Sequence, residues 1–169
     1  MKVVADSSVL INLCKISRLD LLKHFQVLIP EAVLREVVEE GKGREGVEEV
    51  KKAGFEVRKI SDLKLYNLLR AYLDAGESEA ITLASEVNAI VLLDEKDARS
   101  LAEKLGLKVM GTVGLLIWAK KAGYIDSLRE ELDKLIDGLC MFEKERAEKF
   151  YELTEGIDFD EFAKRKQKL

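Results

Sequence analysis

Short unbroken apolar runs punctuate the chain and alternate with stretches in which apolar residues recur every third or fourth position. Val3-Val4-Ala5, Val27-Leu28-Ile29 and Ala89 to Leu93 are runs without alternation, the pattern of strands covered on both faces. The alternating "FEVRKI" (residues 55–60) and the short "LKVMG" (residues 107–111) predict two further strands. Helical spacing predicts helices over Val9–Cys14, over Arg18–Phe25 with Ser17 as its cap, and from Glu31, with Pro30 at its start. It also predicts Val47–Ala53 ended by Gly54, Asp62–Ala75 and Glu77–Asn88 separated by Gly76, Ala98–Leu105, and "TVGLLIWAKKAG" ended by Gly123. The glycine-rich "EEGKGREG", residues 39–46, reads as a loop.

Strands alternating with helices predict an α/β fold, a parallel sheet with helices on both faces. From Ile125 onward the pattern is helical only, through "SLREELDKLID", "EKERAEKFYEL" and "FDEFAKRKQ". This divides the chain into an α/β domain over 1–126 and a helical appendage over 127–169 packed on it. Leu128, Leu132, Leu135, Ile136 and Leu139 recur at helical spacing, Phe150 and Leu153 continue an apolar face, and Trp118 and Tyr124 lie just upstream. Packing on the domain and self-association both use such a surface, and we expect a homodimer with residues 113–155 in its interface.

Composition narrows the class of protein. With 47% hydrophobic and 36% charged residues over 169 positions, the chain reads as one soluble globular domain with a small appendage. No apolar stretch approaches the ~20 residues of a membrane span and no signal peptide is visible, so a cytoplasmic protein with no membrane partner is expected. Cys14 and Cys140 lie far apart among apolar residues and match no metal spacing. The net charge of −4 argues against gripping nucleic acid through an overall positive field. Bound divalent cations can reverse the sign locally where acids cluster, so a nuclease stays open.

Acids do cluster. Asp6 closes the first strand and Asp94 the fourth, and parallel strands put both endings on one sheet edge, where ligands bind. Asp6 also suits the cap of the helix that follows. Glu36 flanks the buried stripe formed by Ala32, Val33 and Val37 on the proline-led helix. In "DAGESEAITLASEVNA", Glu77 lies at the N-terminal end of the stripe Ala80, Ile81, Ala84 and Val87, whereas Glu79 points away from it. Both acids also suit the positive end of the helix dipole. Carboxylates gathered this way repel one another unless a cation sits between them, and hard oxygen ligands suit Mg2+ or Mn2+. Such a centre orients a water, lowers its pKa and stabilises charge on a phosphodiester. His24 is the only histidine, which excludes a histidine triad or zinc site, and "GKGREG" lacks the ending of a phosphate-binding loop. A phosphoacceptor receiver domain needs an acid pair after strand one and a lysine after the last strand. Here Asp6 stands alone and "MGT" occupies the second place.

Together "VVADSSVLINLCKISRLDLL", "IPEAVLREV", "GESEAITLA", "LLDEKDARSLAEKLGL" and "MGTVGLLIWAKKAGYI" resemble, in order from residue 2 to about 126, the PIN domain, and within it the archaeal and bacterial branch related to VapC toxin ribonucleases. The resemblance implies a three-layer α/β/α sandwich, Mg2+ or Mn2+ held by acids, endoribonuclease action on RNA, and in many members a cognate antitoxin protein. Carried over by motif, Asp6 matches the first acid, Ser7 or Ser8 the hydroxyl beside it, and Glu36 the acid of the proline-led helix. Glu77 or Glu79 matches the helix acid. The final acid falls in "LLDEKDAR", at Asp94, with Glu95 and Asp97 as alternatives, because this stretch departs from the commoner threonine-any-aspartate pattern. Asp6, Glu36, Glu77 and Asp94 are then the expected catalytic set, with Glu79 as a further metal ligand and Ser7 and Thr112 facing substrate. Thr112 is equally suited to cap the last helix of the domain. The competing reading is a non-catalytic PIN-fold module that binds protein or nucleic acid.

Overall fold

The computed structural model describes residues 1–40 and 46–137. The centre of the glycine-rich loop, Cys140 and the helices expected in "EKERAEKFYEL" and "FDEFAKRKQ" lie outside these residues. The elements run β1 (Lys2–Ala5), α1 (Ser7–Lys15), a 3-10 segment (Leu19–His24), β2 (Gln26–Pro30), α2 (Glu31–Arg35) passing directly into a π turn (Glu36–Glu40), α3 (Val47–Ala53), β3 (Glu56–Arg58), α4 (Leu63–Leu69), α5 (Ala75–Val87), β4 (Ile90–Leu92), α6 (Lys96–Lys104), β5 (Val109–Met110), α7 (Thr112–Lys121) and α8 (Leu128–Asp137).

The five strands form one sheet of order β3-β2-β1-β4-β5, parallel throughout. Side chains alternate across it. Val3, Ala5, Val27, Ile29 and Leu92 enter the core shared with α1, α2, α3, α7 and α8. Val4, Leu28, Val91 and Leu93 enter the core shared with α4, α5 and α6. Both faces being covered, the central strands are apolar without interruption, which is why their sequence shows no alternation. The result is the expected three-layer α/β/α sandwich.

Local boundaries depart from the sequence reading in two places. Ser17 takes a left-handed backbone (φ 56°) instead of capping a helix, and the segment after it winds as a 3-10 connector without a side-chain cap. The helix expected over Asp62–Ala75 ends at Leu69, and Gly76 lies inside α5 instead of before it. The break is set by Asp74, whose carboxylate accepts from the Glu77 N–H while Glu77 accepts from the Asp74 N–H. A reciprocal capping box of this kind specifies a helix start more strongly than a neighbouring glycine.

Helix α8 docks on the domain's own core. Leu132 and Leu135 are buried there, and Leu128 packs against the same cluster. Beneath them Glu131, 2% exposed, accepts from Arg18 at 2.6 Å and Lys134 at 3.1 Å through one oxygen. Without Arg18 the buried Glu131 charge keeps only Lys134, a solvent-exposed partner, and an incompletely matched buried charge costs more than the intact pair contributes. Arg18→Ala is therefore expected to destabilise the protein by about 2 kcal/mol, less than a wholly buried pair because Arg18 reaches solvent. Urea denaturation reads the loss, and amide exchange should place it first in α8. Unchanged protection of α8 would contradict this docking.

Candidate acid crevice at the sheet edge

The chain winds from β1 through β2 to β3 on one side, then crosses over β1 to β4 on the other. The strand order reverses at β1, and the crevice outside the carboxyl ends of β1 and β4 is where such sheets bind ligands. Asp6 stands there. It continues β1 in an extended backbone, caps α1, and accepts through Oδ2 from the Ser8 N–H at 3.1 Å and the Ser8 hydroxyl at 2.7 Å. The residue is 3% exposed, and its Oδ1 is buried with no hydrogen-bond partner. Burial pushes its pKa up, the Ser8 hydroxyl and the Ser8 and Ser7 amides pull against this, and the charge of Asp74 adds to the rise.

Glu36 reaches the same crevice from the junction where α2 becomes a π turn, a distortion often found at functional positions. Its Oε1 accepts from the Gly76 N–H at 3.0 Å, and the Ser7 hydroxyl donates to the same carboxylate. A Cβ at position 76 would lie 2.5 Å from Glu36 Oε2, so glycine is what lets the carboxylate approach the first turn of α5. Its pKa is raised, first by burial, with Asp74 and Asp6 adding repulsion.

Glu77 completes the group. It is buried, and its pKa is raised to about 7, first by burial, then by the charge of Asp74, with Asp6 and Glu95 contributing. Two of the expected acids stand elsewhere. Glu79 Oε2 accepts from the Ala32 N–H at 2.9 Å, capping α2 where Pro30 offers no side-chain acceptor. Asp94 binds the Thr112 N–H at 2.7 Å, the Thr112 hydroxyl at 2.6 Å and Asn12 Nδ2 at 2.9 Å. Thr112 is 1% exposed, so its hydroxyl faces Asp94 rather than a substrate, and Gly111, not Thr112, is the cap residue of α7. Ser7 likewise directs its hydroxyl at Glu36. Glu95 and Asp97 are exposed at the start of α6.

Neither Asp74, which the spacing places in the last turn of the helix Asp62–Ala75, nor Asn12 stands out in the sequence, because an amide on an apolar helix carries no signal of its own. The "D-A-G-E" spacing of a capping box was the available clue to Asp74.

Chemically, the crevice gathers negative charge without a matching cation. The neighbours acting on Asp6, Glu36 and Glu77 are other acids, hydroxyls and backbone amides. Among the described residues no three carboxylates stand close enough to form a finished cation cage. Yet a buried carboxylate oxygen without a donor is a costly arrangement that a hard divalent cation relieves, and all-oxygen donors are what Mg2+ and Mn2+ take. The orphaned Asp6 oxygen is the feature that suits such an ion, with Glu36 and Glu77 as the nearest acids to complete its ligands.

The raised pKa of Glu77 fixes a direction for pH dependence. Folded, Glu77 holds its proton to about pH 7, whereas in the unfolded chain it ionises near its ordinary value of 4.5. Between these values the folded state binds more protons, so stability is full below the unfolded value and falls as pH rises through the folded one. Asp6 and Glu36 shift the same way. Without divalent cations the melting temperature should fall from pH 5 to pH 8, and Glu77→Gln should flatten that slope. A metal-free melting temperature that rises over this range would contradict the assignment.

A family model of PIN domains matches residues 2–155. No curated protein matches the chain. Among solved structures the chain resembles a PilT N-terminus domain protein from the hyperthermophilic archaeon Sulfolobus solfataricus P2, at 22% identity and a TM-score of 0.53, covering 75% of this chain and 96% of that one. That likeness concerns the fold. PIN domains are generally nucleases, and the family generally uses divalent metal ions. Among the described residues no helix is long and apolar enough to cross a membrane. With the family model spanning both the crevice and helix α8, this chain belongs to the PIN domain family.

Proposed function

We propose that the protein is an endoribonuclease dependent on Mg2+ or Mn2+, and that it is the toxin of a toxin–antitoxin pair whose antitoxin protein blocks the crevice. The observation that carries the catalytic reading is Asp6, a buried carboxylate with a donorless oxygen at the switch point of a parallel sheet, close enough to Glu36 and Glu77 for its charge to raise their pKa values. The VapC-like order of motifs supports RNA as the substrate and an antitoxin as the partner.

In this reading Asp6, Glu36 and Glu77 hold the cation, with Asp74 adding negative charge at the rim. The chemistry that such an ion supplies is polarisation of a phosphodiester and acidification of a water molecule. The chain's own residues prepare the place. Ser8 turns Asp6 so that Oδ2 is satisfied and Oδ1 is left for the ligand. Ser7 and the Gly76 N–H hold Glu36 toward the crevice. Burial keeps Glu77 protonated to about pH 7, so a cation binds there against a proton and its affinity rises with pH.

Incubating purified protein with a mixed RNA pool tests the reading. Cleavage is expected with Mg2+ or Mn2+ and none with a chelator, and Asp6→Asn should lower the rate by about 100-fold or more. Intact RNA in both metals would overturn it. A second variant isolates the seat of Glu36. Gly76→Ala removes a helix-interior glycine, a change that ordinarily stabilises by about 0.5–1 kcal/mol. Here its Cβ meets the Glu36 carboxylate, so Mn2+ should bind about 10-fold more weakly, the order seen when a supporting contact of a metal site is lost. Unchanged Mn2+ affinity in calorimetry would separate Glu36 from the site.

A further inference from the structure

The two aspartates follow neighbouring strands, yet the sheet separates them. β1 and β4 pair with Ala5 opposite Leu92, so Asp6 stands opposite Leu93 and Asp94 one residue further along. Side chains alternate faces along a strand. Asp6 shares the parity of Val4 and faces the layer of α5, whereas Asp94 shares that of Leu92 and faces the layer of α1 and α7. The neighbours agree: the charge of Asp6, itself held by Ser8 at the first turn of α1, repels Glu36 and Glu77, while Asp94 is hydrogen-bonded by Thr112 of α7 and Asn12 of α1.

Both oxygens of Asp94 are engaged. Oδ1 accepts from the Thr112 N–H, the first amide of a helix whose own cap residue, Gly111, has no side chain to receive it. Oδ2 accepts from the Thr112 hydroxyl and the Asn12 amide. The absent side chain is also required, because a Cβ at position 111 would stand 2.8 Å from Asp94 Oδ1 and 2.5 Å from Arg99 Nη1. Three elements are thus fastened at one carboxylate: the end of β4, the start of α7 and the middle of α1. The first turn of α1 carries Ser7, bonded to Glu36, and Ser8, bonded to Asp6.

The geometry points to Asp94 as a positioning residue that fixes α1 through Asn12 and so sets the two carboxylates held by the first turn of that helix, rather than as a ligand of the cation. This rests on the crevice being the cation site proposed above. Among the acids at the sheet edge it assigns a division of labour: one aspartate on the ligand side of the sheet, one bolting the opposite layer.

The test compares Asp94→Asn and Asn12→Ala with Asp6→Asn, reading metal-free melting temperature, Mn2+ affinity by calorimetry, and kcat and KM on RNA. Asp6→Asn relieves repulsion, so its metal-free melting temperature should hold or rise while Mn2+ affinity falls about 100-fold. Asp94→Asn should lower the metal-free melting temperature by about 4 °C or more and weaken Mn2+ binding by about tenfold, well short of the loss in Asp6→Asn. Asn12→Ala, which leaves every acid in place, should reproduce a roughly tenfold loss of kcat at unchanged KM shown by Asp94→Asn, and the two should not add when combined. The proposal is overturned if Asp94→Asn loses Mn2+ affinity as Asp6→Asn does without a fall in metal-free melting temperature. It is equally overturned if Asn12→Ala leaves kcat unchanged. The melting and Mn2+ readouts need no cleavage, so they judge Asp94 even where the ribonuclease reading fails.

Discussion

Asp6 is a carboxylate that the fold cannot afford to leave as it stands. It ends the central strand of the sheet, is covered on all sides, and keeps one oxygen without a donor. An unpaired buried charge of this kind is unfavourable by several kcal/mol unless it is protonated or matched by a cation. The surroundings add to the demand, because Glu36 and Glu77 approach the same crevice and bring further negative charge. Ser7, Ser8 and the glycine at position 76 secure the orientation of the acids without neutralising them. The site therefore carries negative charge in excess of its donors, and its pKa pattern follows from that.

What positions this centre is ordinary parallel-sheet geometry. The order β3-β2-β1-β4-β5 puts the carboxyl ends of β1 and β4 at the reversal of winding, and α5 starts directly over that edge with its capping box. The pleat then sorts the acids by parity. An aspartate at one strand end faces the layer of α5, and one displaced by a single residue on the neighbouring strand turns to the other layer and becomes a cap for α7. One residue of offset separates two roles that the sequence motifs alone present as equivalent.

Much of this was legible in the residues. Unbroken apolar runs located the central strands, Pro30 marked the start of α2, and the stripe argument singled out Glu77 as the inward acid, which the structure buries while Glu79 turns to the Ala32 amide. What escaped was tertiary. Nothing local to Glu79 says that a helix elsewhere lacks a cap, and nothing local to Thr112 says that a distant aspartate will receive both its donors. Gly76 was read as punctuation between helices, whereas its use is to admit a carboxylate from another element. Ser17 failed as a cap because its left-handed backbone ends α1 before a new helix can form, and the short link to β2 closes as a 3-10 segment.

The central claim is that the Asp6 side of the crevice holds the divalent cation. Anomalous diffraction from crystals soaked in Mn2+ tests it most directly, because the scattering of the ion locates it without reference to activity. The account expects an anomalous peak bound to Asp6 Oδ1 and shared with Glu36 or Glu77, with Asp94 still bonded to Thr112 and Asn12. A peak ligated by Asp94 and not by Asp6, or no peak at the crevice at millimolar Mn2+, would contradict it.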